Sequence, residues 1–119
     1  YFSKDQITDK SERFFVNEII REKILNHYDK EIPYSVEVET TSFKPSSKII
    51  KMESQIYVER SSQKGILIGH KGNNLKIIGT KARTDLEQFF QKKVFIDLKV
   101  KVLKNWKSED KHLKRFGYD

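Results

Sequence analysis

Gly69-His70-Lys71-Gly72 stands between two apolar stretches, and residues 64–79 around it hold four of the five glycines of the chain. Two residues without side chains let a backbone come close to a phosphate, while the pair between them supplies charge and hydrogen-bond donors. That pair is His70 and Lys71. The chemistry on offer is noncovalent: a clamp for a phosphodiester backbone. An ordinary interhelical turn can carry the same four letters, so the surrounding elements decide between the two.

Other chemistries have little to build on. The chain has no cysteine, which removes disulfides, thiol nucleophiles and the usual zinc ribbons and fits a reducing compartment. His27, His70 and His112 are far apart and none is paired with a carboxylate at ligand spacing, so no metal site is expected. Asp85 and Glu87 are acids that a small nuclease would need, yet they lie among other charges on one helical stretch, where solvation is the usual role. No G-x-x-x-x-G-K-[ST] phosphate loop is present, so this chain is expected neither to bind nor to hydrolyse GTP.

At 119 residues there is room for one modest core. With 24 Lys plus Arg against 17 Asp plus Glu, the formal charge of +7 favours a polyanionic partner, RNA or an anionic membrane surface. The longest apolar runs, Phe14-Phe15-Val16 and Ile66-Leu67-Ile68 among them, are three residues, against about 20 for a membrane span. No charged start precedes an apolar stretch, so no secretory signal is expected and the span reads as soluble.

The elements that must position the loop follow from periodicity. Asp9 with Glu12 resembles a capping box, and Phe15, Ile19, Ile20, Ile24 and Tyr28 make one stripe of a helix of about 17 residues, with Glu18, Arg21, Glu22 and Lys23 mostly outside it. Pro33 prevents its continuation. From Tyr34 the period is two: Tyr34, Val36 and Val38 alternate with Ser35, Glu37 and Glu39. Residues 42–48 read as a hairpin loop, and a partner strand runs from about Ile49 to Arg60, with Ile50, Met52, Ile56 and Val58 on one face.

After the loop, Leu75, Ile78, Gly79, Ala82, Leu86, Phe89 and Phe90 keep a helical period for about five turns. Gly79 and Ala82 suggest a close approach to another element, and both phenylalanines are expected in the core. Residues 94–103 alternate Val94, Ile96, Leu98, Val100 and Val102 against Phe95, Asp97, Lys99, Lys101 and Leu103, as a strand packed on helices does. A short helix is expected from about Ser108.

The predicted class is α+β: helix, strand, strand, helix, GxxG, helix, strand and a short C-terminal helix, with a three-stranded sheet and the helices on one face. GxxG between two helices is the signature of KH RNA-binding domains, and two strands before the helix pair with one after it resembles their type II, prokaryotic form. The likeness narrows with Asp5-Gln6-Ile7-Thr8-Asp9, Glu18-Ile19-Ile20-Arg21-Glu22-Lys23-Ile24-Leu25, Tyr34-Ser35-Val36, Val58-Glu59-Arg60, Ser62-Gln63-Lys64-Gly65, Val100-Lys101-Val102 to Asn105-Trp106 and Phe116-Gly117-Tyr118. Together these resemble the C-terminal KH domain of the bacterial Era family of ribosome-assembly GTPases, across nearly the whole chain.

That resemblance implies residues 1–9 as the linker from an N-terminal GTPase domain and 10–119 as one KH domain. It also implies single-stranded RNA at the 3′ end of small-subunit rRNA as partner, gripped during 30S assembly. GTP and Mg would belong to the GTPase domain, with no cofactor for this chain. The expected protein is a cytoplasmic monomer with peripheral contact to the inner face of the membrane. In the implied site, Gly69, His70, Lys71 and Gly72 hold phosphates, extended by Asn73, Lys76 and Lys64, with Arg60 entering the loop region. Ile66, Ile68 and Leu75 line a groove for the bases, two of the three mainly packing. His70 departs from the lysine or small polar residue often found there, so binding is expected to vary with pH near neutrality. Two other readings of the residues stay open: a type II KH module of another RNA-binding protein, ribosomal-protein-like or transcription-factor-like, and a protein-interaction module whose GxxG is vestigial.

Overall fold

A computed structural model describes residues 9–28 and 36–104. Helix α1 spans Asp9–His27, strands β1 Glu37–Pro45 and β2 Ile49–Val58, helix α2 Ser61–Ile68, helix α3 Asn73–Phe90 and strand β3 Lys93–Val102. Tyr34, the region of Pro33, both termini and the expected helix from Ser108 lie outside the described residues. No described helix is long and apolar enough to cross a membrane.

The sheet order is β1-β2-β3, with β1 antiparallel to β2 and β3 parallel to it. An antiparallel pair needs only a tight turn, whereas a parallel pair needs a crossover. Here α2, the GxxG loop and α3 are that crossover, so the demand for a parallel third strand places the loop between two helices.

The helical stripe of α1 buries Val16, Ile20, Ile24 and Tyr28, with Phe15 and Ile19 partly covered. Each fully buried aliphatic side chain contributes about 1.5–3 kcal/mol, and Ile20→Ala would remove about 2–5 kcal/mol through lost contacts and a cavity. From α3 come Ile78, Ala82, Leu86 and Phe90, and from the inner sheet face Val38, Phe43, Ile50, Met52, Ile56, Val94 and Val100. Phe89 and Phe90 join Phe15 and Phe43 in an aromatic cluster tying α1, β1 and α3 together; Phe15 and Phe89 have centroids 4.3 Å apart, Phe43 and Phe90 5.8 Å. The inward positions of β2 and β3 follow the predicted alternation, but Glu37 and Tyr57, paired with each other on the opposite face, are buried as well.

Three features differ from expectation. The hairpin turn is only Ser46–Lys48, because β1 runs to Pro45. A register irregularity between Thr40 and Ser42 absorbs an extra residue, carrying Phe43 inward to pair with Met52. Pro45 is tolerated because β1 is an edge strand. Second, Thr40 and Ser54 are buried among the inward apolar residues. Their hydroxyls lie 2.9 Å apart, and the Thr40 hydroxyl donates to Asn17 Oδ1 at 2.6 Å, so Ser54 donates in turn.

Third, two charges assigned to the outside of α1 are tethers. Arg21 pairs with the buried Glu37, and Lys23 with Asp85 of α3. The Lys23 ammonium is held above its usual range by its hydrogen bond to Asp85, then by Glu22, against a smaller opposing effect of burial. Asp85 thus ties helix to helix, and Glu87 accepts the Val94 N–H at 2.9 Å at the start of β3. Both acids of the nuclease reading have structural work, and the described residues hold no cluster fit for a metal ion.

Candidate nucleic-acid interface

Helix α2 starts where Gln63 Oε1 accepts the Glu59 and Arg60 N–H groups at 3.1 and 2.9 Å, while its own N–H donates to the Arg60 carbonyl. Eight residues later the helix stops. Gly69 takes φ 76°, ψ 178°, a combination essentially restricted to glycine, and its N–H still closes onto the Gly65 carbonyl at 2.9 Å. Lys71 and Gly72 then adopt left-handed conformations at φ 54° and 75°. The Gly72 N–H returns to the Gly69 carbonyl at 3.1 Å, and the Asn73 N–H to that of His70. One tight turn results, with His70 and Lys71 exposed to solvent.

The two glycines have different reasons to be glycine. A Cβ on Gly69 would lie 2.8 Å from Asn74 Cγ; one on Gly72 would meet nothing within 4 Å, so only its positive φ resists a side chain. Asn74 is the brace beneath the loop. Its Nδ2 donates to the Ile66 carbonyl at 3.2 Å, and its Oδ1 lies 3.3 Å from His27 Nε2. Beside it the Tyr28 hydroxyl donates to the Leu67 carbonyl at 2.6 Å, and burial pushes that phenol up to about 12. The C-terminal end of α1 therefore fixes both the last turn of α2 and the loop.

Beyond Gly72, a groove of about 320 Å³ opens between α3 and the edge strand β3. Leu75, Lys76 and Gly79 form one wall, Phe95, Ile96 and Leu98 the other, and Arg83 lies farther along α3. No side chain caps the start of α3 at Gly72. Its partial positive charge is directed at the mouth of the groove beside Lys71 and Lys76. Cationic side chains and free N–H groups at one end and apolar walls along the side match what a single strand presents, charged on its backbone and apolar on its base faces.

The KH-domain profile matches residues 31–107, well over half of the sequence. The chain belongs to the KH-domain family. It is 50% identical to GTPase Era of Syntrophus aciditrophicus (strain SB), over all of this chain and 40% of that protein. It is 45% identical to the chloroplastic GTPase ERA1 of Zea mays, over 99% of this chain and 29% of that one. Two solved structures superpose at a TM-score of 0.88 and 36% identity: an Era variant from Aquifex aeolicus bound to GDP and AlF4, and Era in complex with MgGDPNP and nucleotides 1506–1542 of 16S ribosomal RNA. This chain covers 98% and 99% of itself in those comparisons, and 40% of each of those chains. It thus corresponds to the KH part of Era, about 40% of the length of these bacterial relatives.

The KH topology accounts for where the expected site residues fall. Gly69, His70, Lys71, Gly72 and Asn73 are contiguous in the turn, and Lys76 and Leu75 border the groove. Of the three apolar residues expected in the groove only Leu75 borders it; Ile68 packs partly against the core, and Ile66 is 51% exposed on α2. Lys64 is half-buried in the middle of α2. Arg60 lies at the opposite end of α2 from the loop, about 12 Å away at 1.5 Å per residue, in a depression shared with Glu59 and Lys104. It does not enter the loop region. A Cβ built on Gly79 would lie 3.5 Å from Leu98 Cδ1, an ordinary contact, so the backbone approach there does not demand glycine, and its lack of a side chain leaves room in the groove. Sequence reasoning missed Asn74 and Arg83 and named none of the β3 side chains that line the groove. Asn74 adjoins the motif yet carries no periodic signal, and Phe95 and Ile96 enter only through the crossover.

Proposed function

We propose that this KH domain grips single-stranded RNA at the 3′ end of small-subunit rRNA, with phosphates on the GxxG turn and bases in the groove beside it. The observation that carries the reading is the junction at Gly72: an exposed His70-Lys71 pair and an uncapped helix start open directly into a groove with apolar walls. The solved Era complex with 16S rRNA nucleotides supports the choice of partner.

In this mechanism Lys71 and the backbone at Gly69 and Gly72 neutralise and orient phosphates. Lys76, one turn on, holds the next, and Leu75, Ile96 and Leu98 replace water against the base faces. Phosphate contacts set register, while base edges meeting backbone groups of β3 set sequence preference. In the intact protein the grip serves 30S assembly, and a GTPase domain elsewhere in the protein supplies nucleotide chemistry and regulates it.

Fluorescence anisotropy tests the reading with a short RNA matching the rRNA 3′ end, a scrambled RNA and the DNA equivalent, across several salt concentrations. Best binding to the matching RNA, with affinity falling by about 0.7 log units per decade of salt for each phosphate contacted, is the expected result. His70→Asp with Lys71→Asp should abolish it while leaving the melting temperature unchanged. Equal binding of all three nucleic acids, or unchanged affinity in the double variant, overturns the reading.

A further inference from the structure

The outer face of the sheet carries a basic corner that the groove does not use. Register places Lys44, Lys51 and Phe95 directly across from one another on β1, β2 and β3, and pairs Ile49 with Lys93 in the neighbouring row. With strands about 4.8 Å apart, the three-residue row spans about 10 Å. Lys44, Lys51 and Lys93 are exposed, as are Lys48 and Lys92 at the same end, where Lys92 Nζ donates to the Ser46 carbonyl at 3.0 Å. The first acids on this face, Glu53 and Asp97, stand one row farther along and bound the patch.

Two features of this corner are unfavourable to the isolated fold. Like charges directly opposite on paired strands repel, and Lys44 faces Lys51. Phe95 is 57% exposed while its neighbour Val94 is buried. A polyanion with flat apolar faces relieves both, since phosphates neutralise the lysines and a base covers the ring. The patch is also continuous with the groove: Phe95 borders the groove and stands on the outer face, and β3 is the edge strand between them.

We propose that single-stranded RNA held in the groove continues over the edge of β3 onto this outer corner, where Phe95 stacks on a base and Lys44 and Lys51 hold phosphates. This rests on the RNA-grip reading above and extends the footprint beyond the GxxG groove. Lys93 flanks the path, and the Glu53–Asp97 row turns the strand away from the far half of the sheet.

The test compares a tetranucleotide that fills the groove with a dodecanucleotide extending the same core on both sides. Phe95→Ala should weaken the longer RNA roughly 5- to 150-fold, the loss typical of one stacked base. Lys44→Gln with Lys51→Gln should leave the tetranucleotide unchanged and lower the dodecanucleotide's salt slope by roughly 1.4, two contacts' worth. Lys51→Glu should weaken the longer RNA and yet raise the melting temperature by roughly 1–5 °C, because it replaces a repelling cross-strand pair by an attracting one. Equal losses for both lengths in the lysine variants, or no loss of the longer RNA in any variant, overturn the extension. So does loss of binding to phosphatidylglycerol vesicles in the lysine variants with the longer RNA unaffected, which assigns the corner to a membrane surface. The two readings fail separately: an unaffected His70→Asp/Lys71→Asp variant removes the loop grip, whereas unaffected sheet-face variants with a working loop remove only the extension.

Discussion

Replacing Gly69 and Gly72 by alanine, one at a time, should separate two reasons for the same letter. At Gly72 the left-handed backbone alone opposes alanine, at roughly 1–2 kcal/mol, and the stiffer unfolded chain returns about 0.4–1 kcal/mol. The net loss is about 0.5–1.5 kcal/mol. At Gly69 the backbone region is worth about 1–3 kcal/mol. The new methyl also lies 2.8 Å from Asn74 Cγ and 2.9 Å from its Cβ, so Asn74 must move and release the Ile66 carbonyl. That bond adds roughly 0.5–1.5 kcal/mol, for a net loss of about 1–4 kcal/mol. Urea unfolding reads the difference: about 1.5 kcal/mol between the variants displaces the midpoint by roughly 0.5–1.5 M. Asn74→Ala in the Gly69→Ala background should be less damaging than the two single changes added together, since the steric partner is gone. Strict additivity, or equal midpoints for the two glycine variants, would refute the bracing role of Asn74.

Tyr28 makes stability sensitive to alkali. Its folded pKa of about 12 exceeds the ordinary 10, so the folded chain keeps a proton that the unfolded chain loses. Its contribution is complete below pH 10 and falls by roughly 2–3 kcal/mol as pH rises through 12; Tyr28→Phe should remove that pH slope in urea titrations while leaving the Leu67 carbonyl unpaired, for a loss near pH 7 of about 1–3 kcal/mol. Asp85→Asn should lower stability by only about 0.5–1 kcal/mol, because Asp85 is 41% exposed and water screens the pair. Since Lys23 is raised above 10.5 in the fold, the contribution of that pair is present below this value and disappears as pH climbs past it, a trend thermal melts at pH 8 and 11 can follow. Lys76→Gln should weaken RNA binding and lower the salt slope by roughly 0.7 without moving the urea midpoint.

Much of this molecule is legible in its letters because short-range rules govern it. A 3.6-residue period sets which faces of α1 and α3 are apolar, a two-residue period sets the parity of β2 and β3, and glycine at 69 and 72 announces backbone geometry that other residues resist. The order of these elements suffices to identify a type II KH domain and to place the GxxG turn. Ser42-Phe43-Lys44-Pro45 shows the weakness of the same rules. Those letters suit a turn, yet cross-strand pairing and burial of Phe43 outweigh local preference and extend β1 to the edge of the hairpin.

Tertiary structure decided what depends on residues distant in the chain. Lys23 becomes a tether only because α1 crosses α3 at Asp85, 62 residues away, and His27 approaches Asn74 across 47. The groove exists because the parallel pairing of β2 with β3 brings Phe95 and Ile96 back beside Lys76, and the same register sets Lys44 against Lys51 and Phe95. Periodicity states which face of an element is buried but is silent on which element covers it. The GxxG loop was therefore written in the sequence, while its brace, the groove beside it and the basic corner beyond it came from the packing of one element on another.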